Sequence, residues 1–487
     1  MAIVSLLVLL AILMVKWWSN RRRADLTNKL PGPYHYPFFG ALPHFLFSPD
    51  KTWRYLHKFA KADALPIYKT LVLNTLYVNL MVPEDIQVLL SSGKYLNKGQ
   101  TYQLLEPWVG KGLFNSSGMK WWERRKMTGP AFSIGTMRKF VEAFKEHAEK
   151  FTQLIERESK KEYTEIEPLV SKGTMHVVCE TVMGTKLDED NEEVGKYLAA
   201  SHRIGELFIH QLSRPWYAFL PIYLLTPSYW ESRKVLKVLH DFTHNIIQEK
   251  RKNFASKGAF SKRGAGLLDL LIENSLDERI PVADIREEAD AFMFAGHDTT
   301  TSMICFALLL LASHSEIQQK VYEEVEGVFS KTDDSTFYED LQSMRYLDQV
   351  LKETLRLYPS GPMISRYITE EMTTHTGYTL PKGTNVNVRI YDIHHDPKFY
   401  PDPYKFDPER FSPENCKNRH PFAYLAFSAG PRGCIGNKFS LLLGKSIISA
   451  ILREYEVMPV DTPKSIVLAA HVVLKTKKPI KLKFRGR

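Results

Sequence analysis

Several stretches of the chain place apolar residues at helical spacing. The longest candidate helix runs from Asp284 to Ser315, and its first turn, with Asp284 and Glu287, resembles a capping box. Residues Asn437–Leu452 contain no proline and also have helical character. By contrast, Lys69–Val82 alternates apolar residues with Thr, Asn and Tyr, which predicts two joined strands. The pattern favours a largely helical protein with some β-structure.

The chain begins with an apolar stretch, Ala2–Val15, that only Ser5 interrupts. The stretch is short for a membrane span of ~20 residues, but Lys16 can reach the interface and the tryptophans that follow are typical of it. A removed signal peptide is the weaker interpretation because no small-residue cleavage site follows, and a buried core helix is the other alternative. The arginines that come next predict that residues 1–20 form a transmembrane anchor with its N-terminus in the lumen and the rest of the chain in the cytoplasm.

The segment after this anchor is basic and rich in proline. Leu30-Pro31-Gly32-Pro33 cannot be helical, which predicts a stiff spacer within residues 21–36. No Gly/Ser-rich linker or internal repeat divides the remainder, so residues 37–487 are expected to form one domain. At the C-terminal end, Lys475–Arg487 alternates Lys with apolar residues and predicts a strand with one solvent-exposed face.

Composition and charge limit the kinds of metal site and binding partner that the chain can have. The chain has 487 residues, a net charge of +10 and four cysteines at 179, 305, 416 and 434. Because the cysteines show no paired spacing, they predict neither a disulfide framework nor a zinc site, and they fit a reducing compartment. The Lys and Arg residues are spread along the chain and form no nucleic-acid motif. A membrane surface or an acidic protein partner therefore explains them better than nucleic acid.

A glycine-rich loop, Phe427–Gly436, carries the strongest chemical signal. Its sequence, FSAGPRGCIG, surrounds Cys434 with three glycines that let the backbone turn tightly and approach a flat group closely. The helix predicted after the loop would place Cys434 at a helix N-terminus, which together with Arg432 favours a thiolate. A single thiolate of this kind suits a haem iron, whereas a buried structural cysteine is the alternative.

A second candidate lies in the middle of the longest predicted helix, within Ala289–Thr300. Gly296, Asp298 and Thr299 are poor helix formers, and such a local conflict indicates a function. A carboxylate and a hydroxyl at this turn can hold water and relay protons, although an internal ion pair would also explain Asp298. His297 is expected to pack behind the helix rather than to act as a ligand.

The glycine-rich loop resembles the haem-binding signature of the cytochromes P450, FxxGxRxCxG, at every defined position. Three further motifs follow in the order typical of that family, so the resemblance covers nearly the whole chain. The matching residues are Phe427, Gly430, Arg432, Cys434 and Gly436 in the loop; Trp121 and Arg125 in WxxxR; Ala295, Gly296, Asp298, Thr299 and Thr300 in AGxDTT; and Glu353, Arg356 and Arg410 in ExxR and PERF. The resemblance implies a mainly α protein with small β-sheets, in which a large helical domain and a smaller β-rich region follow an N-terminal membrane anchor.

The same resemblance assigns roles to these residues. Cys434 is expected to bind the iron of haem b as a thiolate. The other expected haem contacts are Trp121, Arg125, Ala295, Thr299, Arg366, Phe427, Gly430, Arg432 and Gly436, and Trp121 with the three arginines would hold the propionates. Asp298 and Thr299 are the expected catalytic residues for proton delivery. Glu353, Arg356 and Arg410 are expected to form a buried charge cluster that stabilises the haem-binding core.

The activity implied by the resemblance is that of a monooxygenase in the endoplasmic reticulum membrane. It would use O2 and electrons from NADPH delivered by NADPH-cytochrome P450 reductase, with cytochrome b5 as a further candidate partner. Arg124, Lys126 and Lys438 are candidate docking residues for an acidic partner. A haem-thiolate isomerase or dehydratase and a non-enzymatic haem sensor are the alternatives, but the intact pair Asp298 and Thr299 favours the monooxygenase.

Within the family, the chain is most similar to the fatty-acid ω-hydroxylase group, which implies a lipophilic substrate such as a fatty acid. The supporting residues are Tyr102, Pro107, Trp108 and Gly110, together with the runs FMFAGHDTT and HSEIQQKVYEEV. Many members of that group have Glu at the position of Ala295, where it can form an ester with the haem, so noncovalent haem is predicted here. Arg214–Trp230 corresponds to a membrane-dipping lid near the substrate entrance, and a buried hydrophobic loop is the alternative.

Overall fold

The computed structural model of the protein describes residues 22–33, 36, 40–41, 65–72, 75–189, 191–257, 266–330 and 336–487. The anchor predicted over residues 1–20 lies outside these ranges and stays a prediction. Within the predicted spacer, residues 22–29 are helical and residues 30–33 are not. The backbone N–H of Lys69 donates a 2.7 Å hydrogen bond to the carbonyl of Pro31, which ties the spacer to the first strand.

Helices make up most of the described chain, as the apolar pattern predicted. The α-helices are 22–29 (α1), Pro83–Ser91 (α2), Glu106–Val109 (α3), Gly118–Thr128 (α4), Ile134–Glu158 (α5), Ile166–Thr181 (α6), Glu192–Leu212 (α7), Leu220–Leu224 (α8), Pro227–Lys257 (α9), Leu267–Leu276 (α10), Val282–Ser313 (α11), Ser315–Phe329 (α12), Phe337–Ser343 (α13), Arg345–Leu357 (α14), Ile390–His394 (α15), Pro413–Cys416 (α16) and Asn437–Glu454 (α17). Short 3₁₀ helices occupy Gln100–Leu105, Gly129–Phe132, Pro215–Ala218, Pro408–Phe411 and Pro421–Ala423.

The β-structure is confined to small sheets. The strands are Ile67–Val72 (β1), Thr75–Leu80 (β2), Thr164–Glu165 (β3), Ile364–Tyr367 (β4), Met372–Thr373 (β5), Thr379–Leu380 (β6), Asn385–Val388 (β7), Tyr455–Pro459 (β8), Leu468–Ala470 (β9), Leu474–Thr476 (β10) and Lys481–Gly486 (β11). One sheet has the order β1-β2-β7-β4 and another the order β3-β11-β8, while β9 pairs with β10 and β5 with β6. The two joined strands predicted over Lys69–Val82 are confirmed as β1 and β2, which pair in the antiparallel direction. The single strand predicted over Lys475–Arg487 is wrong, because β10 and β11 divide it between two sheets.

Helix α11 runs through the main hydrophobic core, where it packs against α6, α9, α14 and α17. Every residue from 288 to 312 is buried except Ala295, Gly296 and Thr299. Within the described ranges, α11 is the one helix long and apolar enough to cross a membrane, but most of its surface is covered by protein. It is therefore a core helix, and burial on nearly all sides explains why it is apolar around its whole circumference.

The first turn of α11 differs from the prediction. The helix begins at Val282 after Pro281, without a side-chain cap, so the capping box proposed for Asp284 and Glu287 is wrong. Asp284 instead accepts a 2.6 Å hydrogen bond from the Arg124 guanidinium of α4. Helix α4 thus provides cations that stabilise the carboxylates of Asp284 and Glu287 better than the backbone N–H groups of the first turn would.

Three packing contacts position the rest of the candidate site. Helix α17 follows the glycine-rich loop directly and packs against α5 and α12. The carboxylate of Glu324 on α12 accepts hydrogen bonds from the first N–H groups of α14, which fixes the start of that helix. Strand β4, which carries Arg366, pairs with β7 in the four-stranded sheet.

Candidate active site

The glycine-rich loop forms a tight turn immediately before α17. The N–H of Cys434 donates a 2.9 Å hydrogen bond to the carbonyl of Phe427, and Gly433 bonds back to Gly430 at the same distance. Gly430 has a φ of +69°, and a Cβ added there would lie 1.9 Å from the carbonyl oxygen of Leu90. Glycine is therefore required at Gly430 by both the backbone angle and the close approach of α2.

Cys434 lies three residues before the first residue of α17, close to the predicted helix N-terminus. The Cys434 residue is exposed, although protein atoms surround its thiol closely. Burial raises the pKa of the Cys434 thiol, and the N–H of Gly436 with the charges of Arg125 and Lys98 offsets this effect in part. The protein alone thus does not favour the thiolate as the sequence predicted, and a bound metal cation would supply the missing positive charge.

Four cations converge near Cys434, on Lys98, Arg125, Arg366 and Arg432. Arg432 lies over the ring of Trp121 at 4.5 Å and donates to the backbone carbonyls of residues 113 and 116. Burial, with the like charge of Arg366, lowers the pKa of Arg432 to about 9, and burial also lowers the pKa of Lys98, Arg125 and Arg366. Within the part of the chain that the structure describes, no carboxylate lies at ion-pair distance from any of the four.

Among the described residues, these cations contact rings and backbone carbonyls, and no carboxylate balances their positive charge. Isolated buried cations are costly, so their presence together indicates an anionic ligand. The Nε atom of Arg432 is buried without a hydrogen-bond partner, which points to the same conclusion. A flat metal cofactor that carries two carboxylates, bound through its metal to Cys434, fits this set of donors.

The sequence did not predict that Lys98 belongs to this group of cations. Its ammonium lies 4.5 Å from the ring centre of Tyr102 and 4.8 Å from that of Phe114, and its backbone pairs with Arg366 in an isolated β-bridge. Nothing local distinguishes Lys98 from the exposed Lys94 four residues earlier. The signal is the long-range pairing with β4, which appears only in the folded chain.

The middle of α11 presents a small accessible surface. Ala295 and Thr299 lie one turn apart on one helix face and, together with Gly296, keep accessible surface where the rest of residues 288–312 is buried. The helix is continuous through this turn, since the Thr299 hydroxyl donates a 2.7 Å hydrogen bond to the carbonyl of Ala295. Ser360 donates to the carbonyl of Thr299 at 2.9 Å. Ala295 and Thr299 therefore form a small accessible patch on an otherwise buried helix.

Asp298 is in an ion pair, the alternative that the sequence left open. Its Oδ1 atom lies 2.8 Å from the ammonium of Lys475 on β10. The prediction that Lys475 belongs to a solvent-exposed strand face is wrong for this residue, because its side chain is 12% exposed. His297 packs behind the helix as predicted and contacts the Ser171 hydroxyl at 2.8 Å, and burial lowers its pKa to about 4.

The ExxR pair and the PERF motif meet in the predicted charge cluster. Arg356 donates two hydrogen bonds, of 2.7 and 2.8 Å, to the carboxylate of Glu353, and neither side chain is exposed. Arg410 lies 3.5 Å from the same carboxylate. Arg356 also donates to the backbone carbonyls of residues 394, 403 and 405, so it joins α14 to the chain that leads to the glycine-rich loop.

Two surface predictions had different outcomes. Arg124 is buried against Asp284 and Glu288, so its assignment to a docking surface is wrong; a carboxylate pair on α11 covers it. Lys126 and Lys438 are exposed. In Arg214–Trp230 the buried-loop alternative is wrong, because the large apolar side chains are exposed, Leu225 to 86%.

Comparison with known proteins identifies the family. The cytochrome P450 profile matches residues 30–484. The chain belongs to the cytochrome P450 family. It is 37% identical to cytochrome P450 4V2 of Homo sapiens over 87% of this chain and 83% of that protein. It is 33% identical to cytochrome P450 4c3 of Drosophila melanogaster over 99% and 95%, and 34% identical to cytochrome P450 4d1 of the same organism over 96% and 95%.

Membership in this family makes the chain a monooxygenase that uses haem iron with a thiolate ligand. The predictions of a mainly helical fold and of an enzyme are confirmed. The arrangement around Cys434 fits haem, because haem carries two propionates and the surrounding cations have no carboxylate partner in the part of the chain that the structure describes.

Proposed function

We propose that this cytochrome P450 hydroxylates a fatty acid or a related lipid, with O2 as the oxygen source and electrons from NADPH through a separate flavoprotein reductase. The proposal rests on the four cations near Cys434, which have no carboxylate partner among the described residues, and on Ala295 and Thr299, which keep accessible surface in the otherwise buried middle of α11. Haem bound there supplies the activation of O2.

The residues of this chain would then act in defined ways. Cys434 holds the metal, and Lys98, Arg125, Arg366 and Arg432 compensate the two propionates. Thr299 presents its hydroxyl on the accessible face of α11, where it can order water next to the cofactor. The carboxylate of Asp298, the preceding residue, would take a proton from water and pass it on toward the cofactor.

The aromatic wall next to α11 supports a lipophilic substrate. Trp108 packs against Phe294 with ring centres 4.7 Å apart, and Phe114 contacts both Phe294 and Tyr102. Such a wall excludes water and binds hydrocarbon by burial of apolar area. Ala295 offers no carboxylate to the cofactor, so we expect noncovalent haem that acidified organic solvent extracts fully.

An exposed apolar surface supports contact with a membrane. Phe219, Leu220, Ile222, Leu225 and Trp230 are all more than two-fifths exposed. This cluster, which we call the lid surface, is unusual for a surface in water and suits the acyl region of a bilayer. With the anchor predicted over residues 1–20, it supports an endoplasmic reticulum location with the catalytic domain in the cytoplasm.

An exposed basic surface supports docking of an acidic redox partner. Lys126 lies over the ring of the exposed Trp122 at 5.3 Å, on the helix that also carries Arg125. Lys438 is exposed in the first turn of α17, four residues after Cys434. Both positions are close in sequence to residues of the cofactor site, so a reductase, or cytochrome b5, that docks here approaches the haem edge.

The test is turnover of the purified full chain with a reductase, NADPH and a panel of fatty acids. We expect NADPH-dependent O2 uptake, hydroxylated products and the red-shifted Soret band of the reduced carbon monoxide complex. Cys434→Ser should abolish the band and the activity, and Cys416→Ser, at a half-buried cysteine elsewhere, should keep both. A product that forms without NADPH would refute the proposal in favour of an isomerase or dehydratase, and a thiolate band without any turnover would favour a sensor.

A further inference from the structure

The aromatic wall of Trp108, Phe114 and Phe294 is attached to α9 through a side chain of that helix. His240, on α9, donates a 3.1 Å hydrogen bond from Nε2 to the backbone carbonyl of Trp108 on α3. The same nitrogen lies 3.7 Å from Oδ2 of Asp290 on α11. One N–H group therefore faces two acceptors on different helices, and it can donate fully to only one of them at a time.

Asp290 is a buried carboxylate without a hydrogen bond inside the described ranges. Its side chain has no exposed surface, and neither oxygen has a partner in that part of the chain. Burial raises the pKa of Asp290 to about 7, and the charge of Glu287 adds to this rise. Thr243 and the Arg286 guanidinium, 4.0 Å away, oppose it. Once ionised, this carboxylate requires a donor, because an unsatisfied buried charge is costly.

Two further polar atoms at this junction are buried and unpartnered. They are the hydroxyl of Tyr197 on α7 and Nε1 of Trp108, and neither has a hydrogen-bond partner among the residues that the structure describes. Burial and the charge of Asp290 raise the pKa of Tyr197, so its hydroxyl stays protonated near neutral pH. Helices α3, α7, α9 and α11 thus meet at a polar cluster with spare donors and acceptors, which leaves more than one hydrogen-bonding arrangement open to it.

His240 itself is neutral near pH 7. Burial lowers the pKa of His240, and the charges of Arg286 and Arg233 lower it further. The bond to the Trp108 carbonyl and the charge of Asp241 offset this effect in part. A neutral imidazole has one N–H, and the bond to the carbonyl places that hydrogen on Nε2. The choice between the two acceptors therefore depends on the charge of the carboxylate.

We propose that His240 is a positioning residue for the aromatic wall, and that ionisation of Asp290 draws its N–H away from the carbonyl of Trp108. The effect on substrate rests on the proposed function, because such a wall binds a lipophilic molecule. Below about pH 7 Asp290 is protonated and His240 holds Trp108 in place. Above it the carboxylate takes the N–H, since a charge-assisted hydrogen bond is stronger than a neutral one. Substrate should therefore bind more tightly on the acidic side of this transition.

The first test is hydrogen exchange in the full-length holoenzyme without substrate. Exchange of the amides of residues 106–110 is measured at about pH 6 and about pH 8 and corrected for intrinsic rates. We expect these amides to exchange about two- to tenfold faster at the higher pH, because one neutral hydrogen bond to the segment is lost. Asp290→Asn keeps the shape of the side chain but cannot ionise, so it should exchange at the low-pH rate under both conditions.

The second test is the dissociation constant of 1-dodecanol, measured from the spin-state change of the haem over the same pH range. This probe has no group that ionises there, so any change belongs to the protein. The dissociation constant should rise about two- to tenfold with pH in the wild-type protein and stay constant in Asp290→Asn. His240→Phe should bind weakly at both ends of the range. His244→Asn, at an exposed position of the same helix, should match the wild-type protein.

A further variant tests the sign of the effect. Arg286→Met removes a cation that lowers the pKa of Asp290, so the midpoint of both transitions should move to higher pH. A midpoint that moves to lower pH would contradict the assignment of the transition to this carboxylate.

The outcomes separate the inference from the proposed function. If neither 1-dodecanol nor any fatty acid changes the haem spectrum or is hydroxylated, the proposed function fails, and hydrogen exchange still decides whether His240 controls the wall. The inference alone fails if exchange and binding do not depend on pH, since Arg286 then satisfies the carboxylate. It also fails if Asp290→Asn keeps the pH dependence, or if His240→Phe is less stable yet binds 1-dodecanol like the wild-type protein.

Discussion

Replacement of Gly430 by alanine should disrupt the glycine-rich loop far more than the same change at Gly436. Both glycines belong to the haem-binding signature, but their surroundings differ. Gly430 has a φ of +69° and its added Cβ would lie 1.9 Å from the carbonyl oxygen of Leu90. At Gly436, whose φ is −93°, no atom lies within 4 Å of the added Cβ.

The magnitude follows from two costs at Gly430. A left-handed backbone costs an L-residue roughly 1–2 kcal/mol. Relief of the contact with Leu90 requires a backbone shift, which resembles overpacking at about 1–3 kcal/mol. The sum of about 2–5 kcal/mol is a large part of a free energy of unfolding of about 5–15 kcal/mol.

The assay is thermal unfolding of the purified variants, followed by circular dichroism and by the thiolate-ligated carbon monoxide band. Because a chain of 487 residues has an unfolding entropy of about 1 kcal/mol/K, Gly430→Ala should lower the unfolding temperature by about 2–5 °C, and the yield of the band with it. Gly436→Ala should keep the unfolding temperature, and any loss of the band from it alone would report how closely the cofactor approaches that glycine. Wild-type stability for Gly430→Ala would refute the reasoning.

Three other measurements test separate parts of the structure. Arg356→Ala leaves a buried carboxylate without its cation and should cost about 3–5 kcal/mol of stability, whereas Arg345→Ala, on an exposed position of the same helix, should leave the unfolding temperature unchanged. Lys98→Ala should speed haem loss to apomyoglobin by about 10- to 100-fold, because a charge-assisted hydrogen bond contributes about 1.5–3 kcal/mol. Lys94→Ala should lose haem at the wild-type rate. Leu225→Asp should raise KM for a membrane-dissolved substrate and leave kcat unchanged. An unchanged KM would show that the lid surface has no role in substrate entry.

The sequence was sufficient for features whose residues are neighbours in the chain. The loop around Cys434, the helix after it and the Glu353–Arg356 pair were all predicted, because each depends on local turn chemistry or on helical spacing. The central position of α11 also follows from its apolar pattern, although its first turn was misassigned.

The predictions that failed concern charges whose partners lie far away in sequence. Arg124 and Arg125 are adjacent and equally basic. Arg124 pairs with carboxylates of α11, whereas Arg125 has no carboxylate partner among the described residues. The sequence predicted Lys475 as one of several lysines on the solvent-exposed face of a strand, whereas in the folded chain it pairs with Asp298. Tertiary contacts decide whether a Lys or Arg side chain is exposed, binds a ligand or forms an ion pair. The type of side chain and its spacing in the sequence do not predict these contacts.

The backbone of Leu113 connects the two sides of the cofactor site. Its N–H donates to the buried carboxylate of Glu288 on α11, and its carbonyl accepts from Arg432 in the glycine-rich loop. Any displacement of α11 that accompanies substrate entry is therefore transmitted through one peptide segment to a cation beside the metal ligand. The helix that carries Asp298 and Thr299 is thus joined to the loop that carries Cys434 by the peptide groups of a single residue.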